Sequence, residues 1–107
     1  MKILLLYKDP FDREIDDPIV SGGGEMFCKS IYENFKDDTS YNIKVHRIDF
    51  ESDSKWGGKR KNEEQRNIIE QAENMNADII ISNYPQATNT GAIIQKSNIP
   101  IMCIIHN

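Results

Sequence analysis

Apolar residues along this chain fall into short continuous runs, separated by polar stretches in which they recur every three or four positions. The first run, Ile3-Leu4-Leu5-Leu6-Tyr7, has strand length and no polar alternation, which predicts a strand covered on both faces. Residues 8–21 form a long polar connection holding Pro10 and Pro18; loops of this length inside compact domains are usually functional or mobile. A helical period over residues 24–35 predicts a helix with Met26, Ile31 and Phe35 toward the sheet and Phe27 flanking. Glu25 falls in its first turn, where the dipole favours a carboxylate. After a turn at residues 36–41, residues 42–50 alternate with both faces mixed, as expected of a strand near a sheet edge. Residues 51–61 read as a second polar loop. Asn62 then reads as the N-cap of a helix, with Glu63 and Glu64 in its first turn and Gln65 at the capping-box position. That helix carries Ile68, Ile69, Ala72 and Met75 at core spacing. Asp78 precedes a second apolar strand at residues 79–81. A loop follows, then a short helix capped by Asn89 or Thr90 with Ala92, Ile93 and Ile94, and Pro100 introduces a last apolar strand at residues 101–105.

The predicted order is β-α-β-α-β-α-β, which specifies an α/β fold with a Rossmann-like parallel sheet. Right-handed crossovers give the strand order 2-1-3-4. Residues 1–107 suffice for a single domain. Ligands of such sheets bind beyond the carboxyl ends of the strands, at the switch between strands 1 and 3. The segments Gly22-Gly23-Gly24, Asn83-Tyr84-Pro85 and His106 all follow strand ends, so this topology gathers them on one edge.

Composition narrows the picture further. A net charge of -4 argues against nucleic-acid or anionic-membrane binding by the whole surface, though a local basic patch is compatible with it. The apolar opening is too short for a signal core or a membrane span, and no transmembrane segment is expected. Cys28 and Cys103 lie in a predicted helix and strand without metal-ligand spacing, as buried thiols of a reducing, cytoplasmic protein would. No His/Cys/carboxylate cluster has metal spacing, so no metal is expected. Asp16-Asp17 and Asp37-Asp38 read as solvated loop charge, and His46, in a mixed strand, as structural or exposed.

Two segments carry candidate chemistry. Ser21-Gly22-Gly23-Gly24-Glu25 opens a helix, and three glycines there suit close approach of an anion to unpaired first-turn N–H groups. The plain alternative is a flexible hinge. Lys55-Trp56-Gly57-Gly58-Lys59-Arg60-Lys61 is locally basic with one aromatic. Its default reading is a solvated loop; its functional reading is contact with an anionic acceptor, whether saccharide, phospholipid or DNA.

These residues resemble the N-terminal domain of GT-B-fold glycosyltransferases, especially the retaining, nucleotide-sugar-dependent enzymes. The likeness rests on three units in register across the chain. They are Gly22-Gly23-Gly24-Glu25 at the first helix, Asp78-Ile79-Ile80-Ile81-Ser82-Asn83-Tyr84-Pro85-Gln86-Ala87, and Pro100-Ile101-Met102-Cys103-Ile104-Ile105-His106-Asn107. The resemblance implies sugar transfer from a nucleotide-sugar co-substrate, with no permanently bound cofactor. It implies donor-phosphate contact at Gly22, Gly23 and Gly24. His106 would lie at the donor sugar as the catalytic residue. Asn83, Tyr84 and the connection from Asp9 to Ser21 would fall on the acceptor side. Lys55, Trp56, Lys59, Arg60 and Lys61 suit an anionic acceptor, and some phage enzymes of this broad fold glycosylate modified DNA bases. The sequence departs from the pattern where members often carry a histidine after the Asp78-type strand; here Asn83 and Tyr84 stand. The C-terminal donor-binding domain is also missing, so the chain is expected to be a fragment, inactive alone.

The main rival is a non-enzymatic α/β ligand- or protein-interaction domain. A receiver would need a strand-end aspartate where Ser82-Asn83 stands, and Lys8-Asp9-Pro10-Phe11 is a poor flavodoxin phosphate loop. The last strand is expected at an open edge, which invites edge-strand homodimers.

Overall fold

The computed structural model describes residues 1–9, 11, 13–18, 22–48, 57–83 and 98–103, with only the backbone of 57–62. Strand β1 (Lys2–Tyr7) leads through a long connection to helix α1 (Gly23–Phe35), and β2 (Asn42–Arg47) to α2 (Gly57–Asn74). Then come β3 (Ile79–Ser82) and β4 (Ile101–Cys103). The four strands are all parallel, in the order β2-β1-β3-β4. The expected strand order is therefore found, and the arrangement is Rossmann-like. The expected third helix and residues 104–105 of the last strand lie outside the described residues. No helix among the described residues is long and apolar enough to cross a membrane.

Alternation along β1 builds a separate core on each face of the sheet. Ile3, Leu5 and Tyr7 pack with Cys28 of α1, Ile15 and Ile81. Leu4 and Leu6 pack with Ile68, Ile69 and Ala72 of α2, together with Ile48 and Ile80. A strand flanked by helices on both sides has no solvent face, which is why residues 3–7 carry no polar alternation.

The helices depart from expectation in two places. The buried residues of α1 are Gly24, Cys28 and Lys29, with Ile31 and Tyr32 packed at the margin, whereas Met26 and Phe27 are 55% and 40% exposed. The helix is thus rotated from the predicted face. The small residues Gly24 and Cys28, rather than Met26, lie on its inner side. Phe35 is half-buried, its ring 4.6 Å from that of Tyr41.

Helix α2 begins at Gly57, so Asn62 lies inside it and is no N-cap. The expected loop residues Lys59, Arg60 and Lys61 belong to its opening turns. Basic residues at a helix start oppose the dipole, which argues for the later start, yet lysine and arginine are good helix formers. The far end of α2 is closed by Asn76 at φ 53, with Asn76 N–H bonded to Glu73 O and Ala77 N–H to Ala72 O. This is a Schellman closure, with asparagine in the left-handed position usually held by glycine.

Candidate functional site: the crevice between β1 and β3

Side chains tie β1 to β3 at both ends. At the strand starts, Asp78 Oδ2 accepts from Lys2 N–H at 2.7 Å, and Asp78 N–H donates to Lys2 O at 2.7 Å. At the strand ends, Lys8 N–H donates to Asn83 Oδ1 at 2.9 Å, and Asn83 Nδ2 donates to Lys8 O at 2.9 Å. Asn83 thus completes the ladder where the backbones diverge. Its amide is engaged with β1, so it shapes the crevice instead of presenting a free group.

From β1 the chain turns to α1 on one face, while β3 is entered from α2 on the other. The connection that leaves β3 lies outside the described residues, and in sheets of this order a ligand crevice is expected beyond the carboxyl ends of β1 and β3. Around its β1 side lie Tyr7, Asp9, Gly22 and Glu25. Asp9 is fully buried and accepts from Phe11 N–H at 2.7 Å, from Arg13 Nε at 3.2 Å and from the Tyr7 hydroxyl at 3.3 Å. Burial pushes its carboxyl upward, but the Phe11 N–H and the Arg13 guanidinium outweigh that and hold it below the ordinary carboxylate value. Burial, followed by the neighbouring carboxylates of Asp9 and Glu25, pushes the Tyr7 hydroxyl well above the ordinary phenol range.

The start of α1 is already furnished with a carboxylate. Gly22 is the N-cap, with extended backbone that any residue can adopt and no side-chain cap. Its lack of a side chain matters for another reason: a Cβ there would meet Glu25 Oε2 at 3.0 Å. Glu25, three residues into the motif, folds back over the helix start in the manner of a capping-box acid. Its charge would repel an anionic ligand brought to the N–H groups of Gly23 and Gly24.

Lys29, only 7% exposed, is a feature the sequence reading missed. Its ammonium donates to the carbonyls of Ile15 (3.3 Å) and Asp17 and lies 5.8 Å from the centre of the Tyr7 ring. With Asp9 it anchors residues 13–17 over the α1 face. The signal was a lysine beside Cys28 on the inner side of an otherwise amphipathic helix. His46 is structural as expected: its Nε2 meets Glu64 Oε1, and Gln71 Nε2 lies 3.0 Å from its Nδ1, fastening β2 to α2.

Other candidates stand apart from the crevice or outside the described residues. Tyr84, His106, Lys55 and Trp56 lie outside them, and the side chains of Lys59, Arg60 and Lys61 are not described. Cys103 pairs in register with Ser82, on the α2 face, whereas Cys28 belongs to the α1 face. The sheet therefore separates the two thiols. Among the described residues no group of His, Cys, Asp and Glu is placed to hold a metal ion.

No family model matches the chain, and no curated protein or solved structure is significantly similar to it.

Proposed function

We propose that the chain is the N-terminal, acceptor-side domain of a GT-B-type glycosyltransferase, moving a sugar from a nucleotide-sugar donor to an acceptor. The observation that supports this reading is the 2-1-3-4 strand order, with the glycine-opened helix α1 following β1 and Asn83 at the carboxyl end of β3. In the proposed reaction the donor diphosphate is held at the N–H groups of Gly23 and Gly24 as Glu25 swings outward. His106 hydrogen-bonds the donor sugar and stabilises developing charge, without acting as a nucleophile. The bond from the sugar to the diphosphate breaks, a bond to an acceptor hydroxyl oxygen forms, and the hydroxyl proton passes to the departing diphosphate. Tyr84 and the connection between Asp9 and Ser21 contact the acceptor, while Asn83 holds the crevice open. The basic segment with Lys55, Trp56, Lys59, Arg60 and Lys61 suits an anionic acceptor, with modified DNA as one form. In this reading a donor-binding domain supplies the remaining nucleotide contacts.

The test is nucleoside-diphosphate release by the complete gene product from a panel of UDP-, GDP- and ADP-sugars. His106→Ala is expected to lower release at least 100-fold, and Glu25→Gln to tighten nucleotide binding severalfold. Neither binding nor release of any sugar nucleotide by the complete protein would overturn the reading.

A further inference from the structure

The connection that leaves β1 carries three residues that are fixed in place without being used up. Asp9, fully buried, accepts from the N–H of Phe11 at 2.7 Å and from Nε of Arg13 on both of its oxygens, each at 3.2 Å. An arginine forked on a carboxylate spends an Nη group as well. Here, among the described residues, neither Nη group of Arg13 is hydrogen-bonded. The guanidinium is thus oriented from behind and keeps the rest of its N–H donors. Its side chain is 18% exposed, so it is held and still reached by solvent.

Phe11 completes the unit. Its backbone is anchored on Asp9 and the Arg13 guanidinium lies 5.0 Å from the centre of its ring, yet the residue is 75% exposed. A solitary exposed apolar side chain is ordinary. This one is tied through its own N–H, has a cation over its ring, and directly follows a strand whose carboxyl end is the binding edge of such sheets. The unit therefore offers an apolar ring beside a set of charged donors. The surrounding charges cancel in sum, Asp9 and Glu25 against Arg13 and Lys29, so a bare anion gains little from the field. Contact with the ring has to supply part of the affinity.

We propose that Phe11 and Arg13 form a binding site for a ring compound that bears an oxyanion. The ligand's ring lies on Phe11, and its phosphate or carboxylate is held by the Nη groups of Arg13 while Asp9 keeps the guanidinium in place. The site stands apart from sugar transfer: it is measured on this chain without a sugar donor, so its failure and the failure of the glycosyl-transfer reading are separate results.

NMR titration of the chain with phenyl phosphate and with benzoate tests it, against inorganic phosphate and phenol. Saturable shifts are expected at the Phe11 amide and at the Arg13 Nε–H, with the better of the two ring anions binding at least tenfold tighter than either control. Which of the two binds better identifies the oxyanion. Phe11→Ala removes an exposed ring, so its urea midpoint should not move, and it should reduce the ring anions to the affinity of inorganic phosphate. Arg13→Lys keeps a charge beside Asp9 but lacks the Nη donors, and should weaken binding at least tenfold; if it does not fold, Phe11→Ala decides alone. Absence of saturable binding, ring anions no better than the controls, or undiminished binding by Phe11→Ala would overturn the proposal. So would shifts confined to Gly23 and Gly24, which would move the anion to the start of α1.

Discussion

On the α1 face, the cluster of Ile3, Leu5, Tyr7, Cys28 and Ile81 adjoins two buried charges, Asp9 and Lys29. On the α2 face, Leu4, Leu6, Ile68, Ala72 and Ile80 pack with Gln65, which is 1% exposed and has neither amide atom hydrogen-bonded. The α1 face must also hold residues 13–17 of the connection between β1 and α1, whose backbone lies outside any helix or strand. Asp9 and Lys29 supply the missing partners, accepting from Phe11 N–H and donating to the Ile15 and Asp17 carbonyls. Among the described residues the α2-face cluster is built mostly from helix and strand, and no fully buried charge adjoins it. Buried charge appears where irregular backbone has to be fixed beside the crevice.

The largest expected effect is at Asp9. Asp9→Ala strands Arg13 and the Phe11 N–H and should cost about 3 kcal/mol in urea unfolding, as breaking a buried pair does. The pH dependence has a definite sign. The folded carboxyl lies below its ordinary value, so its contribution is complete above the unfolded-state pKa and is lost as pH falls through the folded one. Stability should therefore decline with acid below about pH 4, and Asp9→Asn should flatten that decline.

Lys29→Met should cost about 2 kcal/mol, since two carbonyls lose a charged donor. It should also raise hydrogen exchange in residues 13–17 while leaving β3 and α2 protected. Equal loosening of both faces would break the comparison between them. On the α2 face the sign reverses: Gln65→Leu removes two unpaired buried atoms and should raise stability by about 1 kcal/mol in the same urea titration. A loss there would mean that the amide has a partner in solution.

The smallest effect is chemical. Burial, with electrostatic repulsion from Glu25 and, across the sheet, Cys103, pushes the Cys28 thiol up to about 12. Labelling with a thiol reagent near neutral pH should therefore modify Cys103, which is half-buried on an edge strand, well before Cys28. Similar rates at the two thiols would show that the α1 face opens locally.

Much of the scaffold was legible in the residues themselves. The unbroken apolar run in β1 announced burial on both faces, the mixed pattern of β2 announced an edge, and Ile68, Ile69, Ala72 and Met75 announced the inner stripe of α2. Strand order followed from element order and crossover handedness. Asn83 acts in the folded chain as a clasp between Lys8 and β3, a role that depends on which strands are neighbours.

What local pattern could not supply was the rotation of α1 and the fate of its polar residues. By periodicity Met26 belonged inside and Lys29 had no assigned place; the tertiary structure exposes the first and buries the second. A buried ammonium is stable only where carbonyls converge on it, and those of Ile15 and Asp17 come from a connection whose path no periodicity encodes. The same holds for Gly22, which the glycine triplet marked for close approach; the approaching group in the folded chain is its own Glu25. Hydrophobic spacing determined the layers and their order because burial acts along each element separately. The charges around the crevice were decided by contacts between segments distant in sequence, which exist only once the layers have packed.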